Sequence, residues 1–247
     1  MTLRRLDLEI EARGLLPSRA RARDAILRGT VRVNGEVAAK PNKQVGPADR
    51  IELEDPAARY VSRAALKLIA GLDAGKIDVA GRICLDLGAS TGGFTQVLLE
   101  RGAAKVYAVD VGHDQLHASL AADPRVISLE GVNGRDLRRD LIPDPVDLIV
   151  SDVSFVSVLK VIDPALALAA PGVQAVILFK PQFEVGREHV GRGGIVTDDA
   201  ASAAALDRLI AHFAARGWRH LNSVPSPIAG GDGNRETVTV FGHTGRG

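Results

Sequence analysis

The stretch LDLGASTGGFTQVLLE, residues 85–100, decides how the chain is read. An apolar run enters a turn built on Gly88, Gly92 and Gly93, then leaves it into a helical pattern that starts at Phe94. Strand, glycine turn and helix in that order are the opening unit of an α/β sheet. The residues inside the turn limit its ligand. No lysine follows the glycines, as a G-x-x-x-x-G-K-[ST] phosphate loop would require. Ser90 stands where a dinucleotide turn needs its second glycine, the point at which backbone must approach a pyrophosphate. The turn therefore favours a ligand that presents no phosphate.

Outward from this turn, strands and helices alternate. RICLDLGA, KVYAVDVG, RVISLEG, VDLIVSDV and QAVILFK read as strands, with helices from Phe94, from Gln115, around Ser157 and over residues 199–216. Near-continuous apolar strands separated by helices imply a parallel sheet covered on both faces. The end differs: WRHLNSVPSP, a glycine-rich loop and ETVTVFGH read as a closing β-hairpin, an ending usual in methyltransferase sheets. The expected fold class is α/β, a Rossmann-like, mostly parallel seven-stranded sheet with a terminal antiparallel hairpin.

S-adenosylmethionine fits these constraints, since it carries no phosphate and needs only a tight turn at the strand ends. Asp86, two residues before the turn, can meet the donor's amino group. Asp110 ends the next strand, where a carboxylate can accept both ribose hydroxyls. Gly88, Ala89, Ser90, Gly92, Gly93 and Phe94 form the turn, Val111 follows Asp110, and Asn133 and Asp136 could reach the adenine.

The fourth strand ends in SDVSF and the fifth in FKPQFE, so Asp152 and Lys180 emerge at the same carboxyl edge. Burying either charge alone would cost several kcal/mol, so a pair, structural or catalytic, is expected. A lysine beside a hydroxyl can take its proton or hydrogen-bond its oxygen, with carboxylates holding the lysine in place. Lys67 before the sheet and Glu236 before the last strand fit the same site.

The 247 residues suffice for one sizeable α/β domain and a small appendage. The single cysteine, Cys84, sits in an apolar run and reads as a buried structural thiol, and no Cys/His cluster has metal spacing. No apolar run is long enough to span a bilayer and the N-terminus has no secretory pattern, so the expected compartment is the cytoplasm.

Charge is uneven. Residues 13–43 hold eight basic side chains against Asp24 and Glu36, a local net charge of +6, whereas the whole chain carries +1. RLDLEIEARGLL reads as a helix closed by Gly14. SRARARDAILRGT reads as a second helix capped by Ser18, and VRVNGEVA as a hairpin around Asn34-Gly35. Arginines along a short helix ahead of a hairpin suit an RNA-binding domain, although a solvated helix face has the same charge. Gly29, Val31, Val33, Asn34 and Gly35 resemble the G.V.VNG turn of RNA-binding domains of the ribosomal-protein-S-four type. Pro41, Pro47 and Pro56 follow, and the junction between domains reads at about residues 55 to 62.

Taken in order, RLDLEIEARGLLPSRARA, RYVSRAALKL, CLDLGASTGGFTQVLL, VYAVDVG, SDVSF, FKPQFEVGRE and GNRE resemble the TlyA-type, hemolysin-A-like ribosomal RNA 2′-O-ribose methyltransferases over nearly the whole chain. The resemblance implies an FtsJ-like methyltransferase fold and methyl transfer from S-adenosylmethionine to a cytidine ribose in rRNA. It places the family's Lys-Asp-Lys-Glu tetrad on Lys67, Asp152, Lys180 and Glu236, with Lys180 as the central activating lysine. The implied division is an RNA-binding domain over residues 1–58, a linker over 59–62 (RYVS) and a methyltransferase domain over 63–247. Arg4, Arg19, Arg21, Arg23, Arg28, Arg32, Arg59 and Arg63 become the expected rRNA contacts, with a ribosomal subunit as partner and no membrane partner. The chain ends soon after the last strand, which among relatives of this kind suggests the large-subunit (23S) rRNA, with 16S rRNA as a further possibility.

Three other readings compete: a non-catalytic RNA-binding assembly factor, a membrane-active hemolysin and a nicotinamide dehydrogenase. Paired lysines are unnecessary for binding alone, no lytic helix is evident, and Ser90 disfavours the dehydrogenase.

Overall fold

The computed structural model describes residues 3–243; residues 244–247, the last four of the closing segment, lie outside them. Two compact units divide the chain, Met1–Arg59 and Tyr60–Gly247.

In the first unit the elements are β1 (Arg4–Arg5), α1 (Leu6–Ala12), α2 (Arg19–Leu27), β2 (Val31–Val33), β3 (Glu36–Val37), β4 (Gln44–Val45) and β5 (Ile51–Leu53). Gly14 closes α1 at φ +68°, a left-handed conformation that glycine adopts without a Cβ penalty. Ser18 caps α2 by accepting from Arg21 N at 3.3 Å. Asn34 and Gly35 both have positive φ, so β2 and β3 join through the expected tight hairpin, and β5 pairs with the other side of β2. Leu6, Ile10, Ala22, Ala25, Ile26, Val31, Val33 and Val45 form its core.

The second unit contains α3 (Ala65–Ala74), β6 (Ile83–Leu87), α4 (Gly93–Glu100), β7 (Lys105–Asp110), α5 (Ala118–Ala121), β8 (Val126–Glu130), β9 (Val146–Ser151), α6 (Ile162–Leu166), β10 (Ala169–Phe179), α7 (Pro181–Glu184), α8 (Asp199–Ala214), β11 (Trp218–Pro225) and β12 (Thr237–His243). Its seven strands run β11-β12-β10-β9-β6-β7-β8. Neighbours from β10 to β8 are parallel, and β12 is antiparallel to both β10 and β11. Period-two alternation sorts the strand residues onto two faces. Cys84, Leu148, Val150, Val176 and Val238 pack with Leu68 and Leu72 of α3 and Leu98 of α4 on one face. Leu85, Ile149, Ile177 and Phe241 pack with Leu209 and Phe213 of α8 on the other. Burial raises the Cys84 thiol to about 12, as suits a structural thiol.

Three expected elements differ. β10 starts at Ala169 rather than Gln174, because Ala169 pairs with Val146 across an irregularity that accommodates Pro171 and Gly172. The helix expected from Gln115 shrinks to four residues, since Glu130 accepts from the backbone N–H groups of Asp114, Gln115 and Leu116 and holds them as a turn. Around Ser157 the chain makes a 3-10 turn over Val158–Lys160 before α6. Among the described residues no helix is long and apolar enough to cross a membrane.

Candidate active site

The chain runs from β6 out to β7 and β8, then crosses back to β9 and β10, so its direction reverses beside β6. Ligands of open α/β sheets bind outside the carboxyl ends of the strands at such a point. A cavity of about 530 Å³ lies there, lined by residues that include Gly88, Ser90, Asp110, Val111, Asn133, Asp152, Ser154 and Phe155.

Backbone contacts shape its floor. Gly88, at φ +86°, would carry a Cβ only 3.0 Å from Val153 N, so the turn after β6 lies almost against the loop after β9. Gly88 N and Ala89 N donate to Val109 O at 2.9 and 3.0 Å. Asp110 accepts from Ser90 N at 2.8 Å through Oδ2 and from Gly112 N at 2.7 Å through Oδ1. A carboxylate oxygen has a second lone pair, so both oxygens of Asp110 keep acceptor capacity.

Asp86 lies beneath this floor, fully buried. Its Oδ2 accepts from Thr95 Oγ1 at 2.7 Å, whereas Oδ1 has no partner among the described residues. Burial first, opposed by the Thr95 hydrogen bond and reinforced by the charges of Asp152 and Asp110, raises its carboxyl to about 7. An orphaned, buried carboxylate oxygen is costly unless a donor or cation meets it.

The four residues expected as a tetrad form two ion pairs, Lys67–Glu236 buried and Lys180–Asp152 partly buried. Gly71 lets α3 press on the sheet: a Cβ there would stand 2.5 Å from Val176 Cγ1 and 2.6 Å from Val238 Cγ1. Lys67, one helical turn earlier on the same face, places Nζ 2.5 Å from Glu236 Oε2. Lys180 Nζ lies 2.6 Å from Asp152 Oδ1, and donates to Asp152 O at 3.1 Å and Ser154 Oγ at 2.6 Å. Phe179 is paired with Thr237, so Lys180 and Glu236 each stand one residue beyond that pair.

Among the donor-site expectations, Gly88, Ser90, Asp110, Val111 and Asn133 line the cavity. Ala89, Gly92, Gly93 and Phe94 are buried in the turn behind it. Asp136 falls outside the lining: Asn133 accepts from Arg135 N at 3.0 Å and caps a 3-10 turn over Gly134–Asp136 that leaves Asp136 exposed.

Several expected RNA contacts take part in the fold of the first unit. Arg28 makes a bidentate pair with Asp55 at 2.8 and 2.7 Å and also binds Asp24. Arg19 joins Arg5 on the fully buried Asp7, and Arg21 donates to Ala57 O at 2.8 Å. Arg4 pairs with Glu9 at 3.5 Å and Arg32 with Glu54 at 3.2 Å. Arg23 is exposed, and Arg59 and Arg63 both have interaction partners.

The loop after Asp152 adds a residue to the site that the strand pattern does not indicate. Phe155 is 93% exposed, sits at φ +65° and lines the cavity. Its ring lies 5.7 Å from that of Phe183. Glu184 holds the same loop, accepting from Ser157 Oγ and Val158 N at 2.7 Å each, and burial raises its carboxyl. The visible signal was SDVSF itself: a hydroxyl and an aromatic ring directly after a strand-end carboxylate.

The family described as FtsJ-like methyltransferase matches residues 60–243, and the S4 domain matches residues 4–51. The 16S/23S rRNA (cytidine-2′-O)-methyltransferase TlyA of Mycobacterium tuberculosis is 44% identical over 94% of this chain and 87% of its own length. Hemolysin A of Brachyspira hyodysenteriae is 41% identical over 96% of this chain and 99% of its own. A solved structure described as a hemolysin from Streptococcus thermophilus superposes with a TM-score of 0.76 at 36% identity, covering 99% of this chain and 90% of that one.

Proposed function

The chain belongs to the FtsJ-like methyltransferase family, and from that premise we propose that it methylates the 2′-hydroxyl of a cytidine in ribosomal RNA. The observation that carries the reading is the doubled pairing Lys67–Glu236 and Lys180–Asp152, with the Asp152 carboxylate on the lining of the cavity. A site that only bound its ligand would have no use for two buried lysines, each held by its own carboxylate.

The residues present fit S-adenosylmethionine. Asp86 Oδ1 is a buried carboxyl oxygen without a hydrogen-bond partner among the described residues, suited to an ammonium group, and Asp110 retains acceptor capacity for ribose hydroxyls. Val111 and Asn133 offer an apolar contact and an amide to the adenine side. When bound, S-adenosylmethionine supplies an electrophilic methyl group on a sulfonium.

The remaining work belongs to the chain. Asp152 orients Lys180, which takes up the proton of the 2′-hydroxyl as that oxygen attacks. Lys67 and Glu236 fix the adjoining wall. Phe155 offers an exposed ring on which a cytosine lifted from its helix can stack. The first unit supplies the RNA dock through its basic residues, with residues 59–62 as the linker between domains and Arg23 the candidate phosphate contact least engaged in the fold. The 23S rRNA of the large subunit is the proposed substrate, with the 16S rRNA as a second acceptor named for one relative. The cytoplasm is the compartment this substrate implies.

Tritium transfer from labelled S-adenosylmethionine to unmodified ribosomal subunits tests the reading, with mass spectrometry locating the methylated nucleotide. Lys180→Ala should abolish transfer and leave donor binding, read by calorimetry, nearly intact. Absence of transfer by the unaltered protein to either subunit overturns the proposal.

A further inference from the structure

We infer that Ser154 is a catalytic residue, the hydroxyl through which the proton of the substrate's 2′-hydroxyl reaches Lys180. The inference rests on the rRNA 2′-O-methylation reading above and concerns the route of the proton within it.

Lys180 is buried, and its Nζ is surrounded by three oxygens: Asp152 Oδ1 at 2.6 Å, Asp152 O at 3.1 Å and Ser154 Oγ at 2.6 Å. Of these, Asp152 O and Ser154 Oγ accept hydrogen bonds from Nζ, and Asp152 Oδ1 is its ion-pair partner. Lys180 is not among the residues lining the cavity, whereas Ser154 is exposed and does line it. Ser154 therefore stands between the amine and the space where a substrate oxygen would arrive. Its only hydrogen bond among the described residues is the one it accepts from Lys180. A hydroxyl is one donor and two acceptor lone pairs, so it can accept from a 2′-hydroxyl while donating to a neutral amine.

The step balances as follows. Lys180 first gives one proton to solvent and becomes a free amine. The 2′-O–H bond then breaks and its proton passes to Ser154 Oγ, while the Ser154 proton passes to the Lys180 nitrogen lone pair. The 2′-oxygen uses its electron pair to form the O–CH3 bond, and the S–CH3 bond breaks with its pair remaining on sulfur. Lys180 ends as the ammonium and Ser154 is regenerated.

Single-turnover methyl transfer to unmodified ribosomal subunits, measured in mixtures of H2O and D2O, tests the relay. Ser154→Ala should slow transfer by about 10–100-fold, the range of a general acid–base contribution, with half-saturating donor and RNA concentrations within about threefold of the unaltered protein. Ser154→Thr keeps the hydroxyl and should stay within about threefold of the parent rate. The parent rate should curve with deuterium fraction, as two protons move together, and the residual Ser154→Ala rate should fall on a straight line. Thermal unfolding of each variant separates a lost relay from a lost fold, and Ser154→Thr carries the test if the alanine variant unfolds. A Ser154→Ala rate within about twofold of the parent, or straight lines for both proteins, overturns the relay while leaving the rRNA reading intact. No transfer by the parent protein overturns the rRNA reading, and the relay with it.

Discussion

Lys67 and Glu236 stand 169 positions apart in the chain and meet as a buried ion pair, Nζ to Oε2 2.5 Å, with side chains only 8% and 2% exposed. Such a pair is costly to break because the remaining charge stays buried. Lys67→Ala should lower unfolding stability by about 3–5 kcal/mol in urea titrations. The double variant Lys67→Met, Glu236→Leu, which removes both charges and keeps volume, should recover most of that loss and remain inactive in methyl transfer. Equal stability of single and double variants would show that the pair does not hold α3 to the sheet.

Gly71 sets the approach that makes the pair possible. An alanine Cβ would meet Val176 Cγ1 and Val238 Cγ1 at 2.5 and 2.6 Å, well inside van der Waals contact. Gly71→Ala should destabilise by about 1–3 kcal/mol as the helix is pushed outward. Transfer activity should fall as well, since Lys67 is carried on the same helix. Adding Val176→Ala should restore part of both, read by denaturation and by tritium transfer.

Asp86 predicts a pH dependence with a definite sign. Its carboxyl is raised from an ordinary 3.8 to about 7, so the folded protein holds this proton more tightly than the unfolded chain. The resulting stabilisation is complete below about 3.8 and is lost as pH rises through about 7. Without donor, stability should fall by roughly 2–4 kcal/mol between pH 4 and 8, and Asp86→Asn should flatten that decline. A cationic group meeting Oδ1 favours the ionised form. Donor affinity measured by calorimetry should therefore tighten as pH rises through 7, and Asp86→Asn should bind more weakly with little pH dependence.

Phe155 separates substrate binding from folding. Its ring is 93% exposed, so Phe155→Ala should leave the melting temperature unchanged. Base stacking on an aromatic ring contributes about 1–3 kcal/mol, which predicts a roughly 5- to 150-fold loss in transfer efficiency. Phe155→Tyr should retain the activity. A normal rate for the alanine variant would remove the ring from the substrate site.

The sheet and the edge that holds the candidate site are legible because their information is local. Two-residue alternation carries Asp86, Asp152 and Lys180 to the ends of apolar strands, and a turn residue such as Gly88 declares its own backbone requirement. What stayed hidden depends on partners distant in sequence. Arg28 and Arg23 look alike in the helix pattern, and only Asp55 makes the first part of the fold. Asp136 lies three residues from Asn133 in sequence, but the capped turn between them separates their surroundings. The start of β10 at Ala169, five residues before QAVILFK, depends on how β9 pairs across the irregularity at Pro171 and Gly172.

The reversed direction of β12 brings Glu236 to the edge where the parallel strands end. During synthesis, Lys67, Asp152 and Lys180 leave the ribosome well before Glu236 does. Until β12 inserts between β10 and β11, Lys67 has no carboxylate to enter the interior with, and α3 lacks the Val238 surface on which Gly71 rests. Closing the sheet and completing the Lys67–Glu236 pair are thus a single event, because the strand that seals the sheet beside β10 is the one that carries the carboxylate in.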